Sequence, residues 1–188
     1  HFSVLLKHQV PNSLTVYGKA GSGKTTNVMS TLNQIKEISE KKKLKIQILY
    51  VNCKTLNTEF RILVDITNKL GILYQGCFLN VYYENLQTYM KSTGKSIILV
   101  LDEVDSVKGK DINNLIYNLY ETSMQTFNIN KTGVCVVSIT NRLNFLDSLE
   151  PKTRSRFMDD TLIFEPYNAI ELKNLLTQRA EVGFSSDA

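Results

Sequence analysis

The run Gly18-Lys19-Ala20-Gly21-Ser22-Gly23-Lys24-Thr25 fits the pattern G-x-x-x-x-G-K-[ST], and each fixed position suits one task in gripping a phosphate chain. Glycines without a Cβ let the backbone approach an anion closely. The loop amides, with the N-terminus of a following helix, then point at it as a nest of donors. Lys24 is placed to reach β- and γ-phosphates, and the Thr25 hydroxyl to ligate Mg²⁺. The intervening Lys19, Ala20 and Ser22, with Thr26 behind them, complete the expected cradle. A glycine-rich turn matching by accident is the competing reading. It is answered by context, because the pattern carries weight only between a strand and a helix. Leu14-Thr15-Val16-Tyr17 reads as the strand, and residues 25–40 as the helix, with Val28, Met29, Leu32, Ile35 and Ile38 at helical spacing. Nucleoside triphosphate binding is the expectation.

Two further stretches end apolar runs in chemistry. Asp102-Glu103 closes Ser96–Leu101 as a Walker B pattern: Asp102 helps hold Mg²⁺, and Glu103 orients or activates the attacking water. Taken alone, two acids ending a strand are ordinary; downstream of a phosphate loop they fit a hydrolytic site. Asn141 ends the run Val134–Thr140. Its amide both donates and accepts, so it suits bridging a water and a γ-phosphate, and it equally suits capping a helix.

Positioning these residues requires alternating strands and helices. Strands are expected at 14–17, 44–53, 96–101, 134–139 and 161–164. Helices are expected from a cap at Asn57 or Thr58 to Leu70, around Tyr82, Leu86, Tyr89 and Met90, after Asp111, and after an Asn168/Glu171 capping box. Residues 2–9 read as the end of a helix. The alternation implies an α/β fold, a five-stranded parallel sheet covered by helices on both faces. Ligands bind beyond the carboxyl ends of strands in such sheets, where every motif above lies.

Composition bounds the rest. The 188 residues carry 43% hydrophobic and 21% charged residues with a net charge of +4, ordinary for one globular domain. The mild positive charge is compatible with nucleic acid without arguing for it. Three cysteines without a C-x-x-C pair suggest a reduced, intracellular setting, with neither a disulfide frame nor a zinc site. No apolar run reaches about 18 residues, so no membrane partner is expected. No signal peptide is visible, and both ends read as cuts through a longer protein. No Asn-Lys-x-Asp stretch reads a guanine base, which argues against a GTPase.

Residues 17–25, Tyr50-Val51-Asn52-Cys53, Leu99–Asp105, Ile139-Thr140-Asn141 and Leu149–Phe157 resemble the AAA+ ATPase core, a P-loop NTPase. Within it, Val51-Asn52-Cys53, the segment 56–75, Phe164-Glu165-Pro166-Tyr167-Asn168 and Gln178-Arg179-Ala180-Glu181 are similar to the origin-recognition and cell-division-cycle replication initiators of archaea and eukaryotes. The resemblance covers nearly the whole chain. It implies an AAA+ base over 1–165 and, from 166 to 188, the first helix of a truncated helical lid. Asn141 would be the sensor-1 residue. Val10, Pro11 and Tyr167 would line the adenine pocket, and Arg156 of Ser155-Arg156-Phe157 would act as a finger on a neighbour's nucleotide, with Arg154 its rival.

The function so implied is an ATP/ADP switch with slow Mg²⁺-dependent hydrolysis. It would act on origin DNA, on other AAA+ initiator subunits and on a replicative helicase, in the nucleus of a eukaryote or the cytoplasm and nucleoid of an archaeon. Two features depart from the family: Lys152 stands where arginine is common, and the segment 60–80, where a DNA-contacting insertion falls, is mostly apolar. A clamp-loader-like or helicase-loader ATPase, or a nucleotide-gated scaffold with negligible turnover, remain as alternatives.

Overall fold

The computed structural model describes residues 13–157 and 160–184. The expected helix over 2–9 lies outside them. In chain order the elements are β1 (Leu14–Gly18), α1 (Lys24–Lys41), β2 (Ile46–Asn52), α2 (Glu59–Lys69), α3 (Leu79–Thr93), β3 (Ser96–Asp102), α4 (Gly109–Asn130), β4 (Val134–Thr140), α5 (Pro151–Phe157), β5 (Asp160–Phe164) and α6 (Ala169–Phe184). The strands form one sheet in the order β2-β3-β4-β1-β5, and every pairing is parallel. This is the expected five-stranded sheet.

Wholly apolar strands are buried on both faces, and alternate residues serve different helices. Ile98 and Val100 of β3, with Cys135, Val137 and Ile139 of β4, face Val28 and Leu32 of α1. Ile97, Leu99 and Leu101 face the larger core built with α2, α3 and α4, where Ile62, Ile66, Leu86, Met90 and Leu115 are buried. A buried carboxylate ties those three helices together. Glu59 of α2 accepts from the Tyr83 hydroxyl of α3 at 2.7 Å and from Asn118 of α4 at 3.3 Å.

Local signals decide most boundaries. Thr58 has extended backbone and accepts from the Arg61 N–H as the N-cap of α2. Asn168 and Glu171 close a reciprocal capping box, each side chain accepting from the other's N–H at 2.9 Å. Two expectations need correcting. The cap of α4 is Lys108 rather than Asp111, which sits inside the first turn. Ile38 is exposed, because the buried stripe of α1 runs through Val28, Leu32 and Ser39 and leaves it off that face. The apolar residues Ile170, Leu172 and Leu176 of α6 are exposed as well.

Candidate active site

The carboxyl ends of β1, β3 and β4 border a cleft of about 470 Å³ lined by Ala20, Gly21, Gly23, Lys24, Thr25, Thr26, Asp102, Glu103, Ile139 and Asn141. The loop between β1 and α1 forms its floor. Gly23 holds φ 79°, the left-handed region that a side chain disfavours. At Gly18 the constraint is space instead, since a Cβ there would lie 2.6 Å from the Phe164 carbonyl oxygen and 2.8 Å from Ser22 Oγ. Gly18 thus lets β1 and β5 close against the loop.

Lys24 begins α1 and is buried, only 6% exposed. Its ammonium donates to the carbonyls of Gly18 and Lys19 at 2.8 and 2.9 Å, and to Asn141 Oδ1 at 2.8 Å. Burial pushes its pKa below the ordinary lysine value, against the opposing pull of Asp102, Asp105 and Glu103.

Asp102 continues the β3 alternation of Ile98 and Val100, so its side chain lies on the α1 face. There its Oδ2 accepts from the Thr25 hydroxyl at 3.0 Å and from the Tyr50 hydroxyl at 2.8 Å. Its Oδ1 accepts from the Glu103 N–H at 2.9 Å. Glu103 itself leaves the strand at φ 52°, an uncommon region for a non-glycine residue. That turn carries its carboxylate to the cleft wall, 3.8 Å from the Lys54 ammonium.

Asn141 follows β4, which pairs with β1 through Tyr17↔Thr140, and this pairing sets it beside the phosphate loop. It caps no helix; its side-chain oxygen is engaged by Lys24. Sequence reasoning missed the residue that holds this corner. Asp105 Oδ1 accepts from the Thr140 hydroxyl at 2.9 Å and from the Asn141 N–H at 3.4 Å, and its Oδ2 lies 3.4 Å from Arg142 Nε. The third acid of Leu101-Asp102-Glu103-Val104-Asp105 was the available signal, although only pairing with β4 gives it a partner.

The profile of the family described as "ATPase family associated with various cellular activities (AAA)" matches residues 14–164, from the first residue of β1 to the last of β5. The chain belongs to the AAA family of ATPases. Among its relatives are the ORC1-type DNA replication protein of Pyrococcus abyssi, 31% identical over 186 residues, and the ORC1-type DNA replication protein 1 of Archaeoglobus fulgidus, 30% identical over 184. These alignments cover 96% and 97% of this chain but 44% of each relative, so the chain spans less than half their length. The ORC1 protein of Aeropyrum pernix, solved in complex with DNA, superposes with a TM-score of 0.84 at 27% identity, covering 96% of this chain and 46% of that one.

The remaining expected site residues of this AAA chain are placed unequally. Tyr167 comes to the loop: a Cβ built on Gly23 would lie 2.5 Å from its hydroxyl. Val10 and Pro11 lie outside the described residues. Arg156 does not line the cleft. Its guanidinium pairs with Glu121 of α4 at 3.2 Å and stacks 4.9 Å from the Tyr120 ring centroid. Arg154 pairs instead with Asp147 at 2.8 Å, and Lys152 lies 3.9 Å over the Tyr117 ring. No helix among the described residues is long and apolar enough to cross a membrane.

Proposed function

We propose that this chain is the ATP-binding, slowly hydrolysing module of a DNA replication initiator, whose nucleotide state switches origin-DNA binding and helicase loading. The observation that carries this reading is the meeting of Lys24, Thr25, Asp102, Glu103 and Asn141 in one cleft. The likeness to ORC1-type proteins across nearly the whole chain supports the initiator role. In this reading residues 1–165 are the base, residues 166–188 open the lid, and Tyr167, with Val10 and Pro11, lines the adenine side.

The residues suit magnesium, because the Thr25 hydroxyl and the Asp102 carboxylate are hard oxygen donors touching each other beside the loop. Among the described residues no group of three or more His, Cys, Asp or Glu gathers to hold a metal ion. Phosphate and water oxygens would therefore fill the remaining positions, as Mg²⁺ prefers. Bound there, magnesium supplies positive charge against the β- and γ-phosphate oxygens.

The chain's own residues do the rest. Lys24 gives up its carbonyl and amide partners for phosphate oxygens. Glu103 orients a water toward the γ-phosphorus and draws on its proton as the bond to the ADP oxygen breaks, releasing ADP and phosphate. Asn141 holds that water or a γ-oxygen by its amide. Arg156 serves the nucleotide of an adjacent initiator subunit rather than its own, so an isolated chain turns over weakly.

Lys24→Ala tests the nucleotide reading. Charge-assisted hydrogen bonds contribute about 1.5–3 kcal/mol each, so ATP and ADP affinity should fall by at least about tenfold with the fold intact by circular dichroism. Equal affinity by titration calorimetry overturns the reading. For the initiator role, the full-length protein should bind origin DNA with an affinity that differs between its ATP and ADP forms.

A further inference from the structure

The Tyr50 phenol opens the Tyr50–Cys53 stretch but has been given no role so far, yet it touches the centre of the site. Tyr50 pairs with Val100 in the parallel register of β2 and β3, two residues upstream of the Asn52↔Asp102 pair. Its ring packs on the same sheet face as Ile98 and Val100, beneath α1. From there the hydroxyl reaches along the sheet to donate to Asp102 Oδ2 at 2.8 Å. The same oxygen accepts from Thr25 at 3.0 Å, so both its lone pairs are engaged. Among the described residues Oδ1 takes one donor, the Glu103 N–H, which leaves it a second acceptor position.

We propose that Tyr50 is a positioning residue for the metal side of the site, holding the Asp102 carboxylate against the Thr25 hydroxyl so that its open acceptor is on Oδ1. The inference rests on the nucleotide reading above. Packing does not require this hydroxyl, because phenylalanine would fill the same space against Ile46, Ile48 and the α1 face. Without the hydroxyl, Oδ2 keeps one donor and the carboxylate can rotate about its Cβ–Cγ bond, away from Thr25.

The consequence is a change in magnesium dependence rather than in nucleotide affinity itself. Groups that orient metal ligands from behind typically change metal affinity about tenfold or more when removed. The test measures ATP affinity by calorimetry across a magnesium series and in EDTA for the unaltered chain, Tyr50→Phe and Asp102→Asn. Tyr50→Phe should need about tenfold more Mg²⁺ for half of the magnesium-dependent tightening, with EDTA affinity unchanged. An unchanged magnesium midpoint overturns the proposal, and so does equal weakening with and without magnesium, which marks a packing role. Failure of the unaltered chain to bind ATP at all would instead remove the nucleotide reading. A readout free of substitution guards against misfolding: the ring-labelled Tyr50 resonance should shift when ADP and Mg²⁺ are added together and much less with ADP alone. Equal shifts in both additions also overturn the proposal.

Discussion

The ammonium of Lys24 and the side-chain oxygen of Asn141, 117 positions apart in the chain, lie 2.8 Å apart. One residue opens α1 and the other follows β4, and the β1–β4 pairing brings them together. The contact engages the lysine proposed above to grip phosphates with the amide proposed to hold the attacking water or a γ-oxygen. Asn141→Ala should therefore leave ADP affinity nearly unchanged while slowing hydrolysis by about a hundredfold to a thousandfold, the scale of losing one preorganised donor where charge develops. Comparing calorimetric ADP affinity with single-turnover rates checks this; matched losses in both would make Asn141 a ground-state ligand only.

At Glu103 the backbone and the side chain make separate predictions. Glu103→Gln keeps the size of the side chain but removes its basic carboxylate, so ATP affinity should persist while hydrolysis falls at least about tenfold. The left-handed φ of 52° also carries strain that glycine does not feel. Glu103→Gly should therefore unfold at higher denaturant than Glu103→Ala, by about 1 kcal/mol. Chemical denaturation of the two variants decides it, and a more stable alanine variant would show that the turn is unstrained.

Nucleotide affinity should depend on pH through Lys24. Burial sets its pKa in the free protein below the ordinary value, and a bound triphosphate, being anionic, favours the ammonium and raises it. Binding therefore favours the protonated lysine. Affinity is full below the lowered free-protein pKa and is lost as pH rises through it, by up to about tenfold per pH unit for one proton. Calorimetric ATP titrations into the alkaline range should show this fall, and Lys24→Ala should flatten it. A fall of the same steepness in Lys24→Ala would assign the proton elsewhere.

Arg156 should work across subunits. Its guanidinium rests on α4 against Glu121 and Tyr120, outside its own cleft. The permanent charge and planar fork of arginine match phosphate oxygens on a neighbour. In a full-length assembly, Arg156→Ala should lower turnover without lowering nucleotide affinity. Mixing it with Glu103→Gln subunits should restore part of the activity, because one composite site is then intact. No recovery among subunits that demonstrably associate would assign the arginine a structural role.

Much of this molecule is legible from short-range chemistry. The glycine and lysine spacing of the phosphate loop, the apolar runs ending at Asp102 and before Asn141, and the Asn168/Glu171 box each state a local conformation within a few residues. Their physical basis is backbone freedom, burial and capping, which act over one turn or one strand. The alternation of those elements then implies a parallel sheet, and the strand ends imply the site.

What the chain's order does not contain is which strands become neighbours. Strand order β2-β3-β4-β1-β5 sets Asn141 beside Lys24, Tyr50 beside Asp102 and Asp105 beside Thr140. Read along the chain, Tyr50 and Asp105 belong to stretches that resemble the family core, but nothing in the order of residues gives either side chain a partner or a role. The left-handed turn at Glu103 likewise has no glycine to announce it; the surrounding packing imposes it. Hydrogen bonds between residues dozens of positions apart depend on register and pleat, and only the packed sheet decides those.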